Sequence, residues 1–211
     1  MTRLSQIYKE FEISINEVYK HINIANSSLG CTICGQAMQK KYISNVYERL
    51  FLQAFTAWEW FLECIFIAYM TGAGTKRIKP KTYLKKIDKK RALGLLTGTL
   101  EYPDWTKIDD VRKLAELYFV GGRPFFLPLS EIETHFNEMK KVRNAIVHIS
   151  SNSKDKFYGL VRAKLPAYSQ DMTPGEFLMS PIVKGKTETF LDNYILFLKI
   201  AANKILPNRG I

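Results

Sequence analysis

An arginine, an asparagine and a histidine stand together in the string Lys140-Lys141-Val142-Arg143-Asn144-Ala145-Ile146-Val147-His148. These residue types suit the cleavage of a phosphodiester without a metal. A histidine titrates near neutral pH, so it can take a proton from an attacking hydroxyl or return one to a leaving oxygen. A guanidinium is always charged, and its fork can hold the extra negative charge of a phosphorane through two charge-assisted hydrogen bonds. A neutral amide can orient the histidine ring or donate to a phosphate oxygen. RNA carries its own nucleophile, the 2′-hydroxyl, beside each phosphate. The bland reading stays open: His148 as a satisfied, half-buried histidine and Arg143 as an ordinary surface or ion-pair residue.

Whether these side chains can cooperate depends on the element that carries them. Asn144 and His148 are four residues apart and share a helix face. Arg143 precedes His148 by five residues, which at 3.6 residues per turn places it about 140° round the axis. The two converge only if the helix ends or distorts at His148, or if a second subunit supplies one of them. The start of this helix is read from Ser130-Glu131-Ile132-Glu133, a capping box with Ser130 as N-cap. Ile132, Phe136, Met139 and Val147 continue its apolar positions.

The rest of the chain reads as further helices. Leu4 to His21 has one apolar face, and Asn26 to Gly35 is a loop by its Gly, Ser and Asn content. A long apolar helix spans about Ile43 to Met70 and stops at Gly72 and Gly74. It nearly has the length of a membrane span, but Gln53, Glu59 and Glu63 lie inside it, and carboxylates at bilayer depth cost several kcal/mol each. Burial inside protein is therefore the expectation. A third helix runs from about Asp104 to Phe119 and is broken by Gly121 to Pro128. Ser150 to Asp155 reads as a loop, Phe157 to Tyr168 and Met179 to Val183 as short strands or irregular structure, and about Thr187 to Leu206 as the last helix. The expected fold class is all-α or mostly α, an antiparallel bundle in a single domain over 1–211. Its core would lie at about 43–148 plus 187–206, with a loop-rich or short-stranded insertion over 150–186.

Composition narrows the class of partner. The net charge of +11 favours a polyanion. About +8 of it lies in the 16 residues Lys76 to Arg91, which hold nine Lys or Arg and one Asp. Lys85, Lys86, Lys89, Lys90 and Arg91 there, with Lys140 and Lys141 beside the motif, are the candidate phosphate contacts. A solvated helix face explains the same cluster equally well. The N-terminus has no apolar signal-peptide core, so a cytoplasmic location is expected. Cys31 and Cys34 form a lone CxxC without the second pair that a structural zinc needs, and no metal or other cofactor is expected.

The string from Arg143 to His148 resembles the Rx4–6H signature of the HEPN superfamily, in the form with Asn directly after Arg. Trp58-Glu59, within AFTAWEWF, is similar to an aromatic–acid feature in an earlier core helix of several bacterial HEPN families. The likeness covers about Ile43 to His148 and the last helix, and it is strongest to groups associated with defence, toxin–antitoxin and restriction genes. It implies a metal-independent endoribonuclease acting as a homodimer, with two motifs facing each other across a cleft. His148 would be the general base or acid, Arg143 would bind the scissile phosphate, and Asn144 would orient either. Glu59 would pair with Arg143. The products would be a 2′,3′-cyclic phosphate and a 5′-hydroxyl. An antitoxin or another defence protein is an implied partner, and no membrane is. Some toxin members carry a modifiable Tyr two residues after the His; here that position is Ser150. Two other readings compete. One is a HEPN module that binds RNA, nucleotide or protein without cutting. The other is a DNA-binding helical domain, against which stands the lack of a helix-turn-helix pair around Lys76 to Arg91.

Overall fold

The computed structural model describes residues 2–27, 36–75, 78–98 and 103–207. Among these, eight α-helices and one 3-10 turn form, with no strand: α1 (Arg3–Ser27), α2 (Gln36–Met70), α3 (Lys89–Thr97), α4 (Ile108–Tyr118), the 3-10 turn Val120–Gly122, α5 (Phe126–Val147), α6 (Ser151–Lys164), α7 (Pro174–Met179) and α8 (Phe190–Ile205). The chain is all-α, as its periodicity implies. It divides into two compact units. The first comprises Met1–Ile13, Ala57–Thr134 and Leu198–Ile211, the second Ser14–Thr56 and His135–Phe197. Helices α1, α2, α5 and α8 therefore each give a segment to both. Cys31 and Cys34 lie outside the described residues.

The core of the first unit is aromatic. Phe66 of α2 meets Phe125 at 4.8 Å, Phe119 at 5.1 Å and Trp105 at 5.5 Å between ring centroids. Tyr69 donates its hydroxyl to the Ile205 carbonyl at 2.9 Å, which ties the end of α8 to α2. From Phe61 to Met70 the apolar side chains of α2 are buried. The helix is long and apolar enough to cross a membrane, with a mean hydropathy of 1.4 in its best window, but protein covers this stretch. Removing each such side chain from water stabilises the fold by roughly 1.5–3 kcal/mol.

In the second unit α2 packs through Phe55 on Phe136 of α5 and through Phe51 on Tyr194 of α8. Phe177 of α7 stacks on Phe190 at 4.4 Å. The short α7 is held against α2 at closest range. A Cβ on Gly175 would stand 2.1 Å from the Ser44 carbonyl oxygen. Glu48 accepts the Gly175 N–H at 3.0 Å, and the hydroxyls of Ser44 and Thr173 share a hydrogen bond of 2.8 Å.

Several boundaries differ from the sequence reading: α1 runs on to Ser27 rather than His21, α2 begins at Gln36 rather than Ile43, and α8 begins at Phe190 rather than Thr187. Helix α5 starts at Phe126, not at a Ser130 cap. Ser130 lies inside the helix, donating to the Phe126 carbonyl at 2.8 Å and accepting from Arg112 at 2.8 Å. Glu133 pairs with Arg112 instead of capping. Burial of Phe125 and Leu129 carries the helix back by a turn, and Pro128 is tolerated in a first turn whose N–H groups have no helical partner. Helix α4 opens at Ile108 rather than Asp104, whose carboxylate accepts the Thr106 N–H at 2.9 Å and holds a turn ahead of the helix. The largest difference is over 150–186. Helices α6 and α7 occupy much of the expected loop-rich insertion, and its only β-type pairing among the described residues is an isolated bridge between Pro181 and Thr189. Ser150 is the N-cap of α6, accepting the Ser153 N–H at 3.2 Å, and Phe157, Leu160 and Val161 bury the helix. The Ser/Asn content read as a loop is the capping end of a helix.

Candidate phosphodiester-cleaving site

The motif lies in the second unit, at the C-terminal end of α5. Val142 and Met139 are fully buried and fix the rotation of the helix. Arg143 and Asn144 are consequently half-buried, and His148 is exposed. Helix α5 ends at Val147 and α6 begins at Ser151, so His148 belongs to a three-residue joint. The joint is held at both ends. The His148 N–H donates to the Asn144 carbonyl at 2.9 Å, continuing the helical pattern by one bond, and Ser150 caps the next helix.

This ending resolves the angular problem. Arg143 and His148 meet within one chain: Nη1 of Arg143 lies 3.1 Å from Nε2 of His148 and donates to Oδ1 of Asn144 at 3.2 Å. A guanidinium can only donate, so in this contact Nε2 is the acceptor. The guanidinium keeps further N–H groups for an anion.

Lys140 and Lys141 share α5 with these three, Lys141 exposed and Lys140 half-buried. The remaining candidates belong to the first unit. Lys85 and Lys86 are exposed in irregular chain, whereas Lys89, Lys90 and Arg91 form the first turn of α3. Cations are disfavoured at a helix N-terminus, by about 0.3–1 kcal/mol each. The Asp88 cap, which accepts the Arg91 N–H at 2.7 Å, offsets this. Glu59 is half-buried on α2 within the first unit, whereas Arg143 belongs to the second.

One polar cluster escaped the sequence reading. Glu138 of α5 is buried, paired with Nζ of Lys164 at 2.6 Å and accepting from the Tyr194 hydroxyl at 3.3 Å. The pair ties α6 to α5 across the joint that bears His148. His135 stacks on Phe197 with ring centroids 3.6 Å apart. Its Nδ1 is buried and has no hydrogen-bond partner among the described residues. Burial lowers the His135 pKa, Glu138 opposes that shift and Lys164 adds to it. Burial prevails because Glu138 stands 3.9 Å away, beyond hydrogen-bond range. The one advance signal was the i,i+3 spacing of His135 and Glu138. Lys164 and Tyr194 are too distant in sequence to be paired with them.

Among the described residues no three His, Cys, Asp or Glu side chains gather as a metal site. Comparison of the chain with protein-family models, with curated proteins and with solved structures finds no match.

Proposed function

We propose that the chain is a metal-independent endoribonuclease of the HEPN kind, acting as a homodimer in bacterial defence or a toxin–antitoxin system. The observation that carries this reading is the 3.1 Å contact between Arg143 and His148 at the end of α5. An incoming phosphate competes for the Arg143 guanidinium and draws it off Nε2. The freed lone pair then takes the proton of the 2′-hydroxyl. The 2′-oxygen bonds to phosphorus, Arg143 holds the non-bridging oxygens, and the bond to the 5′-oxygen breaks. That oxygen leaves with the proton the imidazolium releases. The ends are a 2′,3′-cyclic phosphate and a 5′-hydroxyl. Beside His148, Ile149 is 95% exposed and Val147 45% exposed, which offers an apolar contact for a second copy. Ser150 is engaged as a helix cap, so control through a modified residue at that position is not part of the proposal.

The test is incubation with total tRNA and a labelled single-stranded RNA in EDTA. Wild type is expected to leave cyclic-phosphate ends, and His148→Ala and Arg143→Ala to leave the RNA intact. Equal cleavage by the variants would remove the motif from the chemistry. A second reading is favoured by the same contact, since it occupies the Nε2 lone pair: a module that binds phosphate without cutting. Salt-sensitive RNA binding without new ends in any arm would select it.

A further inference from the structure

The first unit contains a cavity of about 1070 Å³ that none of the motif residues lines. Lys79, Lys81, Arg123 and Lys204 border it, with Glu131 as the single carboxylate. Lys204 is paired with Glu131. Among the described residues Lys79, Lys81 and Arg123 have no ion-pair partner. Four cations less one carboxylate leave the lining at +3. Lys79, Lys81 and Arg123 are all exposed, so their charge is available to an anion that enters. The same lining is also apolar: Val120 is 44% exposed, Leu127 is 61% exposed, and Pro80 and Pro124 are half-buried beside them.

The walls are held in place without a ligand. The Val120 N–H donates to the Lys81 carbonyl at 2.9 Å and the Tyr83 N–H to the Tyr118 carbonyl at 3.0 Å. Thr82 and Phe119 form an antiparallel bridge between those bonds. The segment that carries Lys79 and Lys81 is thus laced to the turn that leads to Arg123. Gly121, at φ +64°, makes that turn in a region other residues rarely adopt. Such preorganisation lowers the ordering cost of binding.

We infer that this cavity binds a nucleotide-type ligand, with phosphates on Lys79, Lys81 and Arg123 and a base against Leu127 and the proline rings. The volume lies slightly above the range for small-molecule sites, roughly 300–1,000 Å³, and admits a ligand with several phosphates and a base. A free nucleotide and a segment of single-stranded RNA present the same chemistry. The inference stands apart from the reading of Arg143 and His148.

Two probes distinguish the sources: a fluorescent ATP analogue and a labelled single-stranded RNA decamer, followed by anisotropy with His148→Ala protein across a salt series. Binding of the ATP analogue assigns a free nucleotide, and binding of the decamer alone assigns a strand. In either case the Lys81→Ala/Arg123→Ala double variant is expected to weaken binding at least tenfold. For a strand, the slope of log K against log salt should fall by about 1.4, at roughly 0.7 per lost phosphate contact. Leu127→Ala removes the apolar contact proposed for the base without altering charge and is expected to weaken binding about threefold, which keeps the test open if the double variant does not fold. Neither probe binding, unchanged affinity in folded variants, or equal displacement by poly-glutamate would overturn the inference. Loss of cleavage in the assay above, with these affinities intact, would count against the nuclease reading alone.

Discussion

Burial favours the neutral form of His135, whose Nδ1 has no hydrogen-bond partner among the described residues. Its pKa in the folded chain lies below the ordinary 6.5, so between the two values the unfolded chain binds more protons. Stability contributed by the neutral ring is therefore present above about pH 6.5 and declines as pH falls toward the folded value. Unfolding midpoints in urea at pH 7.5 and 5.5 should show this decline, and His135→Phe should flatten it. An unchanged slope in that variant would assign the decline to carboxylates. The motif arginine supplies the second prediction at this scale. Lysine at position 143 keeps the charge but loses the planar fork that reaches Asn144 and His148. Under the nuclease reading, Arg143→Lys should lower kcat/KM by about 10²–10³ while the thermal midpoint hardly moves. Retention of full activity would reduce Arg143 to a point charge.

At the scale of elements, the joint between α5 and α6 decides where His148 stands. Ser150→Ala removes the cap of α6, and the expected cost is about 0.5–2 kcal/mol in denaturant unfolding, with Ser150→Asp close to wild type. Equal losses in both would mean that the cap contributes little. Helix α7 offers a sharper test of packing. Gly175→Ala sets a methyl group against the Ser44 carbonyl, where backbone must move, and should destabilise by roughly 1–3 kcal/mol or more. A smaller change would show that α7 shifts freely on α2. These elements also show what was legible in advance. The apolar periodicities of α1, α2 and α8 located three helices, because burial of one face is written in residue spacing. Ser130 misled because Arg112, eighteen residues earlier in the chain, engages its hydroxyl.

At the scale of the molecule, the proposed dimer rests on the apolar residues beside the motif. Ile149→Asp should move the protein toward monomer in sedimentation velocity and lower cleavage per chain at low concentration. A monomeric wild type with full cleavage would detach activity from assembly. The basic excess also reads differently here than in sequence. Lys79 and Lys81, taken from the run of cations, meet Arg123 and Lys204 at one cavity. No stretch of sequence joins these four, so only the fold could bring them together.

Helix periodicity, the basic excess and the identity of the Arg143–Asn144–His148 string follow from local sequence, because each depends on residue type and near spacing. Convergence of Arg143 with His148 did not, since the string alone places them on different sides of a continuing helix. The end of α5 at Val147, set by the joint to a capped α6, closed that angle. The buried Glu138–Lys164 pair and the cavity likewise depend on contacts between distant segments. Such contacts are selected by packing of the whole chain, which no local pattern encodes.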